Sequence, residues 1–149
     1  MEIDASMTKW TPDLETGHET IDAQHKGIFR LIDRFFGFSQ EEHVAEIKLS
    51  DALVFLLGYT LSHFLEEELL METFDYPGME AHVSEHKNFQ RHLNELTQDY
   101  ITGHSKDVTK ERLGKILIRW PRAHIKTQDL VLAEYIAELP EEEFEGRSD

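Results

Sequence analysis

Apolar residues recur every three or four positions along most of the chain, and four stretches carry the helical period. The first covers about residues 17–38, with Ile21, Ile28, Ile32 and Phe35 on one stripe. The second covers about 42–74, with Leu49, Leu53, Leu56, Thr60 and Leu70. The third covers about 79–101, with Met79, Phe89, Leu93, Leu96 and Tyr100. The fourth covers about 107–138, with Leu113, Leu117, Trp120, Val131 and Tyr135, and Asp107 is its expected N-cap. The breaks "FSQEE", "DYPG" and "TGHSKD" are short, and short links between long amphipathic helices favour antiparallel neighbours. The pattern therefore predicts an all-α fold, an up-down-up-down four-helix bundle with no strand. Residues 1–16 read as an irregular N-terminal arm, and the acidic tail over 140–149 as a frayed extension. A single domain over 1–149 is expected, with its core over about 10–138.

Composition narrows the function. The chain has 149 residues, 15 of them basic and 30 acidic, for a formal net charge of -15. Nucleic acid and anionic membrane surfaces attract the opposite balance, so neither is expected as a partner. The absence of cysteine excludes disulfides, thiolate zinc sites, iron–sulfur clusters and cysteine nucleophiles. No secretory signal and no membrane-length apolar run is visible, so a cytoplasmic setting is expected. No large exposed apolar face is evident either, and a monomer is expected.

The nine histidines change the picture more than the charge does. His25 falls on the first stripe, His63 and Glu67 on the second, His82 and His86 on the third, and His124 on the fourth. Five histidines and a glutamate thus occupy core positions of four helices. Each unpartnered buried polar group costs of order 1–3 kcal/mol, against a net stability of about 5–15 kcal/mol for a whole domain. A metal centre in the bundle core would satisfy them, since imidazole ligates through one nitrogen and donates from the other. His18, His43, His92 and His104 sit at segment ends or off the stripes and read as solvated or capping residues. Asp129 lies five residues after His124, about 140° around an α-helix, so the two do not share a face. Spacing does not favour it over Asp99 or Glu134 as a further ligand.

"HVSEH" at 82–86 matches the H-x-x-E-H signature of inverted zinc proteases. That chemistry leaves the other three core histidines unexplained. Glu85 lies off the core stripe and reads as solvated. A ferritin-like oxidase would need paired Glu-x-x-His motifs on helices, and the one match, Glu15 to His18, precedes the first helix.

Together "GHETIDAQH" (17–25), "HFLEEE" (63–68), "YPGMEAHVSEH" (76–86) and "HIKTQD" (124–129) resemble hemerythrins, most closely the bacterial single-domain kind. The resemblance implies a non-haem di-iron centre that binds O2 reversibly, with an oxo or hydroxo bridge, and not an enzyme. It implies His82, His86 and His124 on one iron, His25 and His63 on the other, and Glu67 and Asp129 bridging the two; this is what selects Asp129. Counting the solvent-derived bridge, one iron has six donors and the other five, which leaves a position open. Imidazoles with two carboxylates suit iron better than magnesium or calcium. Ile28, Phe64 and Trp120 resemble the family's apolar pocket. The family usually carries leucine where this chain has Pro121. Proline inside a helix removes a hydrogen bond, so a kink near Leu117–Trp120 or a helix restart at Pro121 is expected. Losing the leucine would loosen the pocket and speed autoxidation, which leaves room for the alternative of a di-iron enzyme acting on peroxide or nitric oxide.

Overall fold

The computed structural model describes residue 3 and residues 5–38 and 47–140. Four antiparallel rods pack around one core: α1 (Glu19–Phe36), α2 (Leu49–Thr73), α3 (Met79–Ile101) and a fourth made of three pieces. The fourth rod runs as α4 (Lys106–His124), a π-helical turn (Ile125–Asp129) and α5 (Leu130–Ala137). α1 touches both α2 and α4, which closes the bundle. No strand occurs among the described residues. The expected start of the second helix, over 42–46, lies outside them.

Local chemistry sets the ends. His18 caps α1 by accepting the Ile21 N–H at its Nδ1, 3.3 Å away. Gly37, at φ 76°, ends α1 in the left-handed region, and the Phe38 N–H closes back on the Asp33 carbonyl at 2.9 Å. Ser105, not Asp107, caps α4: its hydroxyl accepts the Val108 N–H at 3.3 Å. The arm is more regular than expected, with 3-10 turns at Ala5–Thr8 and Pro12–Leu14. Leu14 is fully buried, and the Thr8 hydroxyl donates to Asp33 at 2.6 Å.

The first three stripes face the core as their periodicity predicts, through Ile32, Leu53, Leu56, Leu93 and Leu96. The fourth does so only as far as His124. Beyond it Val131 is 46% exposed, and Leu132, 3% exposed, takes the inward place. The π turn is the cause. It bonds i→i+5, with the Leu130 N–H donating to the Ile125 carbonyl, and so inserts one residue and advances the phase. Pro121 is buried rather than solvent-facing, and α4 runs on through it. The irregularity lies one turn later, not at a restart on the proline.

α2 departs from expectation in another way. Val54, Leu61, Leu65 and Leu69 lie on its outer face, 50% to 71% exposed. The premise behind the expected monomer, no sizeable apolar face, therefore does not hold. No helix among the described residues is long and apolar enough to cross a membrane.

Candidate metal centre

His25 on α1, His63 and Glu67 on α2, His82 and His86 on α3, His124 at the end of α4 and Asp129 at the end of the π turn are all at most 3% exposed. Their donor atoms form two groups. One joins His82, His86 and His124 with Glu67 and Asp129; the other joins His25 and His63 with the same two carboxylates. Within each group the donor atoms lie within 4.8 Å of one another. The structure thus brings together all seven residues named from the sequence. Asp129 shares a face with His124 because the i→i+5 turn between them removes the 140° offset of an α-helix.

The atoms crowd one shared space, with His25 Nε2 3.1 Å from His63 Nε2. His82 Nε2 lies 2.9 Å from Asp129 Oδ1, His25 Nε2 lies 2.9 Å from Asp129 Oδ2, and His63 Nε2 lies 2.9 Å from Glu67 Oε1. Yet Nε2 of His82, His86 and His124 and all four oxygens of Glu67 and Asp129 lack a hydrogen-bond partner. Orphaned buried acceptors on this scale are costly unless a cation meets them. The donor set fits metal ions held between the two groups.

The outer ring nitrogens fix which atom faces inward. His86 Nδ1–H donates to Glu68 Oε2 and His124 Nδ1–H to Glu85 Oε1, each at 2.9 Å. His63 Nδ1–H donates to Gln24 Oε1 at 2.5 Å, and the Gln24 amide donates in turn to Glu66. Each bond commits the proton to Nδ1 and leaves the Nε2 lone pair for a metal. Glu85 is therefore a partner of a core histidine, not a solvated residue. Glu68 and Gln24 were missed as well. All three pairs cross between helices, so no spacing along one helix announces them. Flat packing adds to the anchoring: Phe64 stacks on His86 at 3.9 Å and Trp120 on His124 at 4.2 Å.

On protein charges alone the groups are pulled apart. Burial pushes His63 down to about 3 and His86 down to about 2. Burial also acts against a charged His124, but the Asp129 and Glu85 carboxylates outweigh it and raise the imidazole above its ordinary value. Burial and then the Asp129 charge raise Glu67 well above the carboxylate range. Asp129 is held well below it: burial opposes this, and the His124, His25 and His82 rings prevail. The two buried carboxylates thus shift in opposite directions, because the histidine rings gather around Asp129 while its charge bears on Glu67.

Ile28, Phe64, Trp120 and Pro121 line a cavity of about 20 Å³ that abuts His25 and His63, and also His124 and Asp129. Phe29, Phe89 and Ile125 complete its apolar wall, and Thr60 supplies a hydroxyl that donates to the Leu56 carbonyl.

A helical bundle with two buried histidine groups sharing two carboxylates is a metal-binding bundle whose donors fit a non-haem di-iron site. The model of the hemerythrin HHE cation binding domain matches residues 16–136. A bacteriohemerythrin of Pseudomonas aeruginosa is 38% identical over 121 residues, 80% of this chain and 75% of the relative. One of Stenotrophomonas maltophilia is 32% identical over 132 residues, 85% of this chain and 80% of the relative. Hemerythrin subunit 1 of Golfingia vulgaris is 29% identical over 113 residues, 72% of this chain and 91% of the relative. The chain belongs to the hemerythrin family.

Proposed function

We propose that the chain binds O2 reversibly at a di-iron centre and does not turn it over. His82, His86 and His124 would hold one iron and His25 and His63 the other, with Glu67 and Asp129 shared between the two groups. Bound there, the irons would supply the electrons that dioxygen binding draws on. The protein holds three of the five imidazoles in their ligating tautomer, His86 through Glu68, His124 through Glu85 and His63 through Gln24. It also keeps bulk water from the two-histidine side with the walls of Ile28, Phe64, Trp120 and Pro121.

The observation that carries this is the cavity against His25 and His63. About 20 Å³ has room for one water-sized molecule, and its walls are apolar. A neutral diatomic fits; a larger or charged substrate does not. Peroxide reduction would also call for a proton donor at the cavity. Apart from the proposed ligands, its wall offers the Thr60 hydroxyl, already committed to Leu56, and the Trp120 indole N–H, which is too weak an acid for that task. Nitric oxide matches dioxygen in size, so spectra must separate the two. Iron analysis should give two irons per chain, with a visible band that appears with O2 and disappears under vacuum. Turnover of peroxide or nitric oxide with no stable oxygenated form would replace this function with the enzymatic one.

A further inference from the structure

A second cavity reaches the same carboxylates from the other side, and it is built differently. It measures about 220 Å³, against about 20 Å³ for the apolar one. Its mouth lies between the start of α1 and the end of α5, at exposed Gly17, His18 and Ala137. Half-buried Leu70 and Ala133 line the throat, and the floor is Glu67 and Asp129. The rim is fixed: the Asp22 carboxylate accepts the Thr16 N–H and hydroxyl at 2.8 Å each and the Gly17 N–H at 3.1 Å.

We infer that this cavity is the path by which ferrous ions reach and leave the site, separate from the apolar cavity. The inference rests on the di-iron assignment above. A divalent cation cannot cross an apolar slot with room for one water, because stripping its hydration shell there is prohibitive. The larger cavity has room for several waters and, although Ile21, Leu132 and Ile136 are also in its wall, it ends on hard oxygen donors. Those four oxygens are buried and have no hydrogen-bond partner. Glu67 and Asp129 are also the residues common to both donor groups, so an ion landing on them can pass to either set of histidines. The net charge of -15 draws cations toward the mouth.

The test is iron release from the loaded, reduced protein into excess ferrozine, a chelator too large to enter. An ion leaves by the reverse of the way it came. Ala133→Phe narrows the throat. Ala137→Trp covers the mouth from an exposed position, where it cannot spoil the core. Each should slow release at least tenfold at two irons per chain. Leu61→Trp, an equally bulky change on the exposed outer face of α2, should release iron at the wild-type rate. Unchanged or faster release from both Ala133→Phe and Ala137→Trp overturns the path while leaving the di-iron centre standing. A wild-type chain that carries no iron overturns both.

Discussion

His86 and His124 each donate their outer ring proton to a carboxylate, Glu68 and Glu85, whereas His63 donates to the amide oxygen of Gln24. A carboxylate partner makes an imidazole a stronger donor; an amide orients the ring with less effect on its basicity. Phe64 and Trp120 stack on His86 and His124 of the three-histidine half, and the same two rings wall the small apolar cavity that His25 and His63 line together with His124. Under the proposed function, one half would hold a metal with nothing left to exchange. The other would hold one with a face free for a neutral ligand. The lesson is that similar donors acquire different tasks from what stands behind them.

The harshest way to break this comparison is to remove what the halves share. Asp129→Ala should lower iron content from two per chain to one or none by elemental analysis; retention of both irons would mean that the carboxylate does not bridge. Next come the outer partners. Glu85→Gln and Glu68→Gln should weaken metal affinity about 10–100-fold. Gln24→Ala should cost less than about tenfold. Competition with a chelator measures all three, and equal losses would dissolve the asymmetry.

Protons sharpen it further. His63 and His86 are already neutral above about pH 3, so metal binding displaces none from them near neutrality. Glu67 and His124, both raised, retain protons into higher pH and must lose them to bind metal. Affinity should therefore rise with pH through the neutral range, with protons released on binding. Calorimetry in buffers of different ionisation enthalpy counts them, and a count of zero at pH 6 would contradict the assignment. The smallest effect expected is that of Pro121→Leu. It should slow decay of the oxygenated band by less than about tenfold, under about 1.4 kcal/mol of barrier; a faster decay would show that the proline seals the cavity better than leucine.

Much of this was legible in one dimension. A period of three to four residues put Leu53, Leu56 and His63 on one side of α2, and His82, His86 and Phe89 on one side of α3, because burial of a helix follows its geometry. What was not legible has two causes. Asp129 and Leu132 lie beyond the π turn, where the α-helical period no longer assigns faces, so only the family motif pointed to the first and Val131 stood wrongly for the second. Glu68, Glu85 and Gln24 act on histidines of other helices, and pairing across a bundle leaves no trace in local spacing. The exposed α2 stripe was hidden for a related reason: α2 is apolar on several sides, and a run of leucines does not say which of them meets a neighbour.

The single wide turn at Ile125–Asp129 carries a consequence for anyone who would copy this protein. Grafting the seven donors at their sequence spacings onto ideal straight helices would reproduce six of them and swing the seventh out toward solvent. Tightening that turn to α-helical i→i+4 bonding without changing its length should do the same to the natural chain, with little disturbance to α1, α2 or α3. The wide turn thus behaves like a shim in a mechanical assembly, a thin insert that takes up a mismatch in spacing and aligns the parts beyond it.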